Sequence, residues 1–301
     1  MRELRWRKIA IFLAIAFGLA WTLALAFFAC GGRLNSIGFV VMGVGYMFTP
    51  ALAAVATNRL SSGSPRTDLG LRAPRVWPLL AAWITPVILV VAASGLSLLL
   101  PNVSFGGIGA IYDNVAPSLT PAQLTQLHAK LDHGPLAIPG VLPAFFILQA
   151  LIAGISVNAV AAFGEELGWR GFLLDEFRRI GFWPASFTIG FVWGLWHLPL
   201  IAQGYNYPGH PVAGPAMMTL LTVLLAPLLG YARLRANSIF AAAVLHGTFN
   251  AVATLGLFLR GGSLLLTGIL GVCGMLTLAL ADLALWTYLR GRTDPLRETT
   301  R

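Results

Sequence analysis

The stretch Val141-Leu-Pro-Ala-Phe-Phe-Ile-Leu-Gln-Ala-Leu-Ile-Ala-Gly-Ile-Ser-Val-Asn-Ala-Val-Ala-Ala-Phe-Gly-Glu165 carries no charged side chain until its last residue. About 20 helical residues cross the roughly 30 Å of hydrocarbon in a bilayer, so the run reads as a membrane span that ends in an acid. Glu166 follows at once, and Arg170 lies four residues further on. A charge at membrane depth costs a few kcal/mol or more, which makes these residues candidates for function rather than for packing.

Further apolar runs lie on both sides of this one, at about 9–29, 37–57, 77–100, 183–201, 214–233, 237–259 and 264–289. With 57% hydrophobic and only 10% charged residues in 301, and a mean hydropathy of +0.78, the chain falls outside the soluble globular class. No two-residue alternation suggests a barrel. The expected fold is therefore an all-α, polytopic transmembrane bundle of about eight helices, filling 1–301 as a single integral membrane domain.

The net charge of +9 has a simpler meaning here than nucleic-acid binding, because the basic residues sit between the apolar runs. Sixteen of the twenty, from Arg2 to Lys8, Arg59 to Arg75, Arg178 and Arg179, Arg233 and Arg235, and Arg290 to Arg301, fall on the side of the N-terminus. Only Arg33, Lys130 and Arg260 fall on the other side, and Arg170 lies within the membrane. By the positive-inside rule both termini are expected in the cytoplasm. The first helix follows a basic segment and reads as an uncleaved anchor. Cys30 and Cys273 form neither a disulfide framework nor a zinc-thiolate pattern.

Outside the spans, the segment at about 101–140 is proline-rich, and Ser118-Leu-Thr-Pro-Ala-Gln predicts the start of a short amphipathic helix. His128 and His133 are read there as solvated, without a carboxylate partner at ligand spacing. Asp175, Glu176, Arg178 and Arg179 read as a structural polar end, and Asp282 as an interhelical hydrogen bond or a protonated acid.

Few ionisable groups remain inside the apolar runs. His197 closes Phe191-Val-Trp-Gly-Leu-Trp-His, and His246 precedes Asn250 by four residues, on one helix face. Glu165 and His197 are each about 16 residues, roughly 24 Å of helix, from the turn near Gly181. His246 lies about ten residues, roughly 15 Å, beyond Arg235, so all these groups share a depth. Arg170 is placed to pair with Glu166, which leaves Glu165 without an obvious partner. A base, two imidazoles and an amide are what water-driven amide hydrolysis needs: a proton acceptor, groups that orient water or bind a metal, and an oxyanion donor.

The ordered trio Glu165-Glu166-x-x-x-Arg170, the histidine motif ending at His197, and His246-x-x-x-Asn250 resembles the CPBP (Abi) family of intramembrane proteases. That family includes type II CAAX prenyl endopeptidases and lysostaphin-resistance proteins, and the likeness covers a core at about 143–255. Trp193 departs from it, since the family usually has Phe four residues before the histidine; the replacement is expected to preserve packing. The resemblance implies that Glu165 activates water with His197, that His246 and Asn250 stabilise the oxyanion or complete a metal site, and that Glu166 and Arg170 support them. It leaves open a zinc or other divalent ion on Glu165, His197 and His246, or a metal-free glutamate mechanism. The implied substrate is a membrane-associated peptide or protein, in some members lipidated, cut in a prokaryotic plasma membrane; nucleic acid is not an expected partner. A proton-coupled transporter or channel, and a non-catalytic immunity-type protein, are the competing readings.

Overall fold

The computed structural model describes residues 4–61, 67–116, 119–133, 135–138 and 140–298. Of the expectations above, those for Arg2, Arg66, Ser118 and Arg301 lie outside the described residues.

The chain is a polytopic helical bundle. Helices α1 (Trp6–Ala29), α2 (Ile37–Leu60) and α3 (Val76–Ser97) are each long and apolar enough to span a membrane. Two short helices on one face follow, α4 (Gly107–Val115) and α5 (Pro121–Leu131). Thr120 caps α5 in a reciprocal box with Gln123, as the Thr-Pro-Ala-Gln signal predicts. Next come α6 (Val141–Ile155), α7 (Val157–Glu166), a π-helical run Leu167–Leu173 and α8 (Leu174–Glu176). After α9 (Phe182–Trp196) and α10 (Leu198–Ile201), three more spanning helices complete the bundle: α11 (Ala213–Ala236), α12 (Ile239–Val252, prolonged as a 3₁₀ turn to Phe258) and α13 (Val272–Leu289). A terminal turn, α14 (Pro295–Glu298), follows. Strands β1 (Ser104–Phe105) and β2 (Leu259–Arg260) form a two-residue antiparallel pair.

Two of the expected spans differ in kind. The 141–165 run is bent by 49° between α6 and α7. The bend falls at Ser156, whose hydroxyl donates to the Ile152 carbonyl at 2.7 Å, a local bond that competes with the helix ladder. The 183–201 run is a 15-residue helix and a four-residue turn, shorter than a full crossing. The last helix begins at Val272 rather than at 264, because Ser263 to Gly271 close a turn.

Connections gather on two opposite faces. On one, Arg5 pairs with Glu176 at 2.7 Å, the Arg75 amide donates to Ala236 and the Phe182 amide donates to Asp294 at 2.9 Å; the first and last of the described residues therefore lie on this face. On the other, the Gly106 amide donates to Phe258 and the Tyr207 hydroxyl to the Leu270 carbonyl at 2.8 Å. Here His128 is not alone, in contrast to its sequence reading. Its Nδ1 lies 2.8 Å from Asp132, and the Tyr112 hydroxyl, foremost, with His128 holds the Asp132 carboxyl below the ordinary range. Asp282 is buried, and neither carboxylate oxygen meets a hydrogen-bond partner among the described residues, so the expected interhelical bond is not formed.

Candidate active site

The bend at Ser156 tilts α7 under the bundle, where it packs against α12. A Cβ on Gly247 would stand 2.6 Å from the Ala159 nitrogen, and one on Gly164 2.6 Å from the Met47 carbonyl, so only glycine permits these approaches. The Asn158 amide donates to the Gly247 carbonyl at 3.2 Å and fixes the height of α7 against α12. Glu165, at the end of α7, is thereby level with His246 on α12.

Behind the site lies a charged cluster. Glu166 (0% exposed) takes Arg170 (1%) on Oε1 at 3.0 Å, as its i+4 spacing predicts, and the same oxygen accepts from His246 Nδ1 at 2.8 Å. With Nδ1 engaged, Nε2 of His246 is the nitrogen left for other contacts. Glu165, 2% exposed, is partnered after all. The Trp193 indole N–H donates to its Oε2 at 2.5 Å. Trp193 therefore does more than preserve packing: its ring also lies 4.6 Å beneath the Arg170 guanidinium and 5.1 and 5.6 Å, centroid to centroid, from His246 and His197. The sequence signal was its position four residues before His197, on the same helix face.

His197 sits where α9 ends. Its backbone N–H turns to Gly194, and its Nδ1–H donates to the Trp193 carbonyl at 2.8 Å, so the neutral ring carries its lone pair on Nε2. Tyr46 of α2, which nothing in the sequence marked, holds the next carbonyl, that of Trp196, through its hydroxyl. Glu165, His197, His246 and Asn250 all line one cavity of about 190 Å³, whereas Glu166 and Arg170 stand behind its wall. All six candidate residues thus belong to one contiguous assembly, four in the cavity and two in support.

A divalent ion would need several donors converging on one point. The donor types on the wall suit one, but among the described residues no three His, Cys, Asp or Glu side chains are close enough to hold a metal. Glu165 accepts from the Trp193 indole, His197 Nδ1 bonds the Trp193 carbonyl and His246 Nδ1 bonds Glu166.

Residues 144–252 match the family described as type II CAAX prenyl endopeptidase Rce1-like. The CAAX prenyl protease 2 of Methanococcus maripaludis is 45% identical over 49 residues, which is 16% of this chain and 18% of that relative. The matched stretch runs from α6 to the end of α12 and includes every residue of the assembly just described. Residues 144–252, set in a multi-pass membrane bundle, thus resemble the Rce1-like domain of type II CAAX prenyl endopeptidases.

Proposed function

We propose that the protein is an intramembrane endopeptidase that hydrolyses peptide bonds with a water activated by Glu165. The observation that carries this reading is the common cavity wall of Glu165, His197, His246 and Asn250, drawn from three separate helical segments. Glu165 accepts the proton of the attacking water, and the lone pair of His197 Nε2 orients that water. As the tetrahedral oxyanion forms, the Asn250 amide and His246, the latter held by Glu166 through Nδ1, stabilise it. The proton held by Glu165 then passes to the leaving amine. Arg170 keeps Glu166 compensated, and Trp193 fixes the Glu165 carboxylate. The substrate is a membrane-associated peptide or protein, with lipidated chains among the candidates, and the setting is a prokaryotic plasma membrane.

Trp169, Phe172 and Leu173, all fully buried, stand outside the cavity lining. Cleavage of a membrane-peptide library by detergent-purified protein tests the proposal: wild type cuts, and Glu165→Ala, His197→Ala and His246→Ala, each folded, do not. Three folded variants cleaving like wild type would overturn it. A chelator arm on wild type tests the divalent-ion alternative separately.

A further inference from the structure

We propose that a groove between α3, α11 and α12 is a binding site for one anionic phospholipid, with an acyl chain in the groove and the phosphate on Arg235 and Arg75. The groove has a volume of about 310 Å³ and shares no lining residue with the cavity of Glu165. Trp77, Ala81 and Thr85 of α3 form one wall, Tyr231 and Arg235 of α11 the other, and the buried Leu245 of α12 the floor. The four-residue spacing of Trp77, Ala81 and Thr85 puts them on one helix face. At ~1.5 Å per residue that wall is about 12 Å long, most of the roughly 15 Å of hydrocarbon in one leaflet. The Thr85 hydroxyl turns back into its own helix, donating to the Ala81 carbonyl at 2.7 Å, so the deep end of the groove is apolar. Ala81 is exposed and small, and leaves the space that a larger side chain would fill.

The other end of the groove lies among cations. Arg235 lines it, and the Arg75 amide donates to the Ala236 carbonyl at 3.0 Å, which sets Arg75 beside the last turn of α11. Both side chains are exposed, and neither meets an acid among the described residues. The acids at this end are engaged elsewhere: Asp68 by Arg72 at 3.0 Å, Asp175 by Arg178 at 3.0 Å and Glu176 by Arg5 at 2.7 Å. A third cation, Arg292, stacks on Tyr288 at 4.1 Å, and the Tyr288 ring stands 6.4 Å from that of Tyr231. Trp77, 80% exposed at the start of α3, is placed as the indoles that anchor helices at the headgroup level are. Unpaired guanidiniums above an apolar trough complement a phosphate carried on a hydrocarbon chain. A soluble phosphate would leave the trough uncovered, and a zwitterionic lipid would leave the guanidiniums uncompensated. Leu245 directly precedes His246, so a bound chain lies against the helix that carries part of the candidate active site.

Full-length protein in detergent is titrated with phosphatidylglycerol or with phosphatidylcholine of the same acyl chains, and bound lipid is counted by native mass spectrometry. One phosphatidylglycerol is expected to bind about 30-fold more tightly than phosphatidylcholine, the worth of two basic residues at an anionic headgroup. Arg75→Gln combined with Arg235→Gln should abolish that preference, and Ala81→Trp, which fills the groove without touching the charges, should weaken both lipids. Arg33→Gln, in the exposed turn between α1 and α2, should leave the preference intact. Glycerol phosphate, the headgroup chemistry without the chains, should not displace the lipid. Equal affinity for the two lipids in wild type, a preference that survives loss of both arginines, or full binding by Ala81→Trp would overturn the site. So would displacement by glycerol phosphate, which would make a soluble anion the occupant. Binding is read without any cleavage, so its result stands apart from the endopeptidase reading.

Discussion

Trp193 shows how much one side chain can do at this depth. A carboxylate that must accept a proton also has to be aimed, and the indole N–H at 2.5 Å aims Glu165. Trp193→Phe keeps an aromatic ring against Arg170 and removes only the donor. Misplacing a reacting group by about 1 Å can cost up to roughly 10²-fold, so kcat is expected to fall by about that much with KM little changed; a rise in KM at unchanged kcat would count against a positioning role. Glu166 does a different job. It stands between Arg170 and His246 in a fully buried setting, and its second oxygen and Arg170 Nη2 have no partner among the described residues. Removing one partner of a buried ion pair costs about 3–5 kcal/mol, because the other charge is left uncompensated. Glu166→Ala should lose stability on that scale in detergent unfolding, with Glu166→Gln losing less.

At the scale of elements, α7 is placed by glycine contacts rather than by its own length. Gly247 faces backbone on α7 at 2.6 Å, while Gly256 has nothing within 4 Å of where a Cβ would stand. Overpacking typically costs about 1–3 kcal/mol. Gly247→Ala is therefore expected to lower the unfolding midpoint and Gly256→Ala to leave it unmoved, a contrast that thermal unfolding reads directly. These contacts also explain which parts of the fold could be read in advance. Long apolar runs such as 6–29 and 213–236 announce themselves through composition, and the i+4 spacings of Glu166 with Arg170 and His246 with Asn250 announce shared helix faces. The bend at Ser156, the early end of α9 and the role of Tyr46 depend on partners distant in sequence. Local periodicity carries no trace of them. The same limit hid the Trp193 to Glu165 bond, since two residues 28 apart become neighbours only when α7 tilts.

Across the whole molecule, the ends are tied where the chain turns between α8 and α9. Glu176 accepts from Arg5 at 2.7 Å and from the Thr67 hydroxyl at 2.6 Å, with Lys8 3.5 Å away. One acid thus joins α1, the segment after α2 and α8, the turn that follows the π-helical run on which Arg170 stands. Glu176→Ala should lower the stability of the entire bundle by about 3 kcal/mol, and a double-mutant cycle with Arg5→Ala should show coupling between the two sites. The bundle so fastened holds Glu165, His197, His246 and Asn250 on one cavity wall, where Glu165 turns water into a nucleophile. The direct measurement is cleavage of a membrane peptide in ¹⁸O-labelled water by wild type and by Glu165→Gln, with product mass and rate read together. The account predicts one ¹⁸O in the new carboxyl terminus and a rate for Glu165→Gln lower by about 10²- to 10⁴-fold, the usual worth of a positioned general base. A folded Glu165→Gln protein that cleaves at the wild-type rate would contradict it.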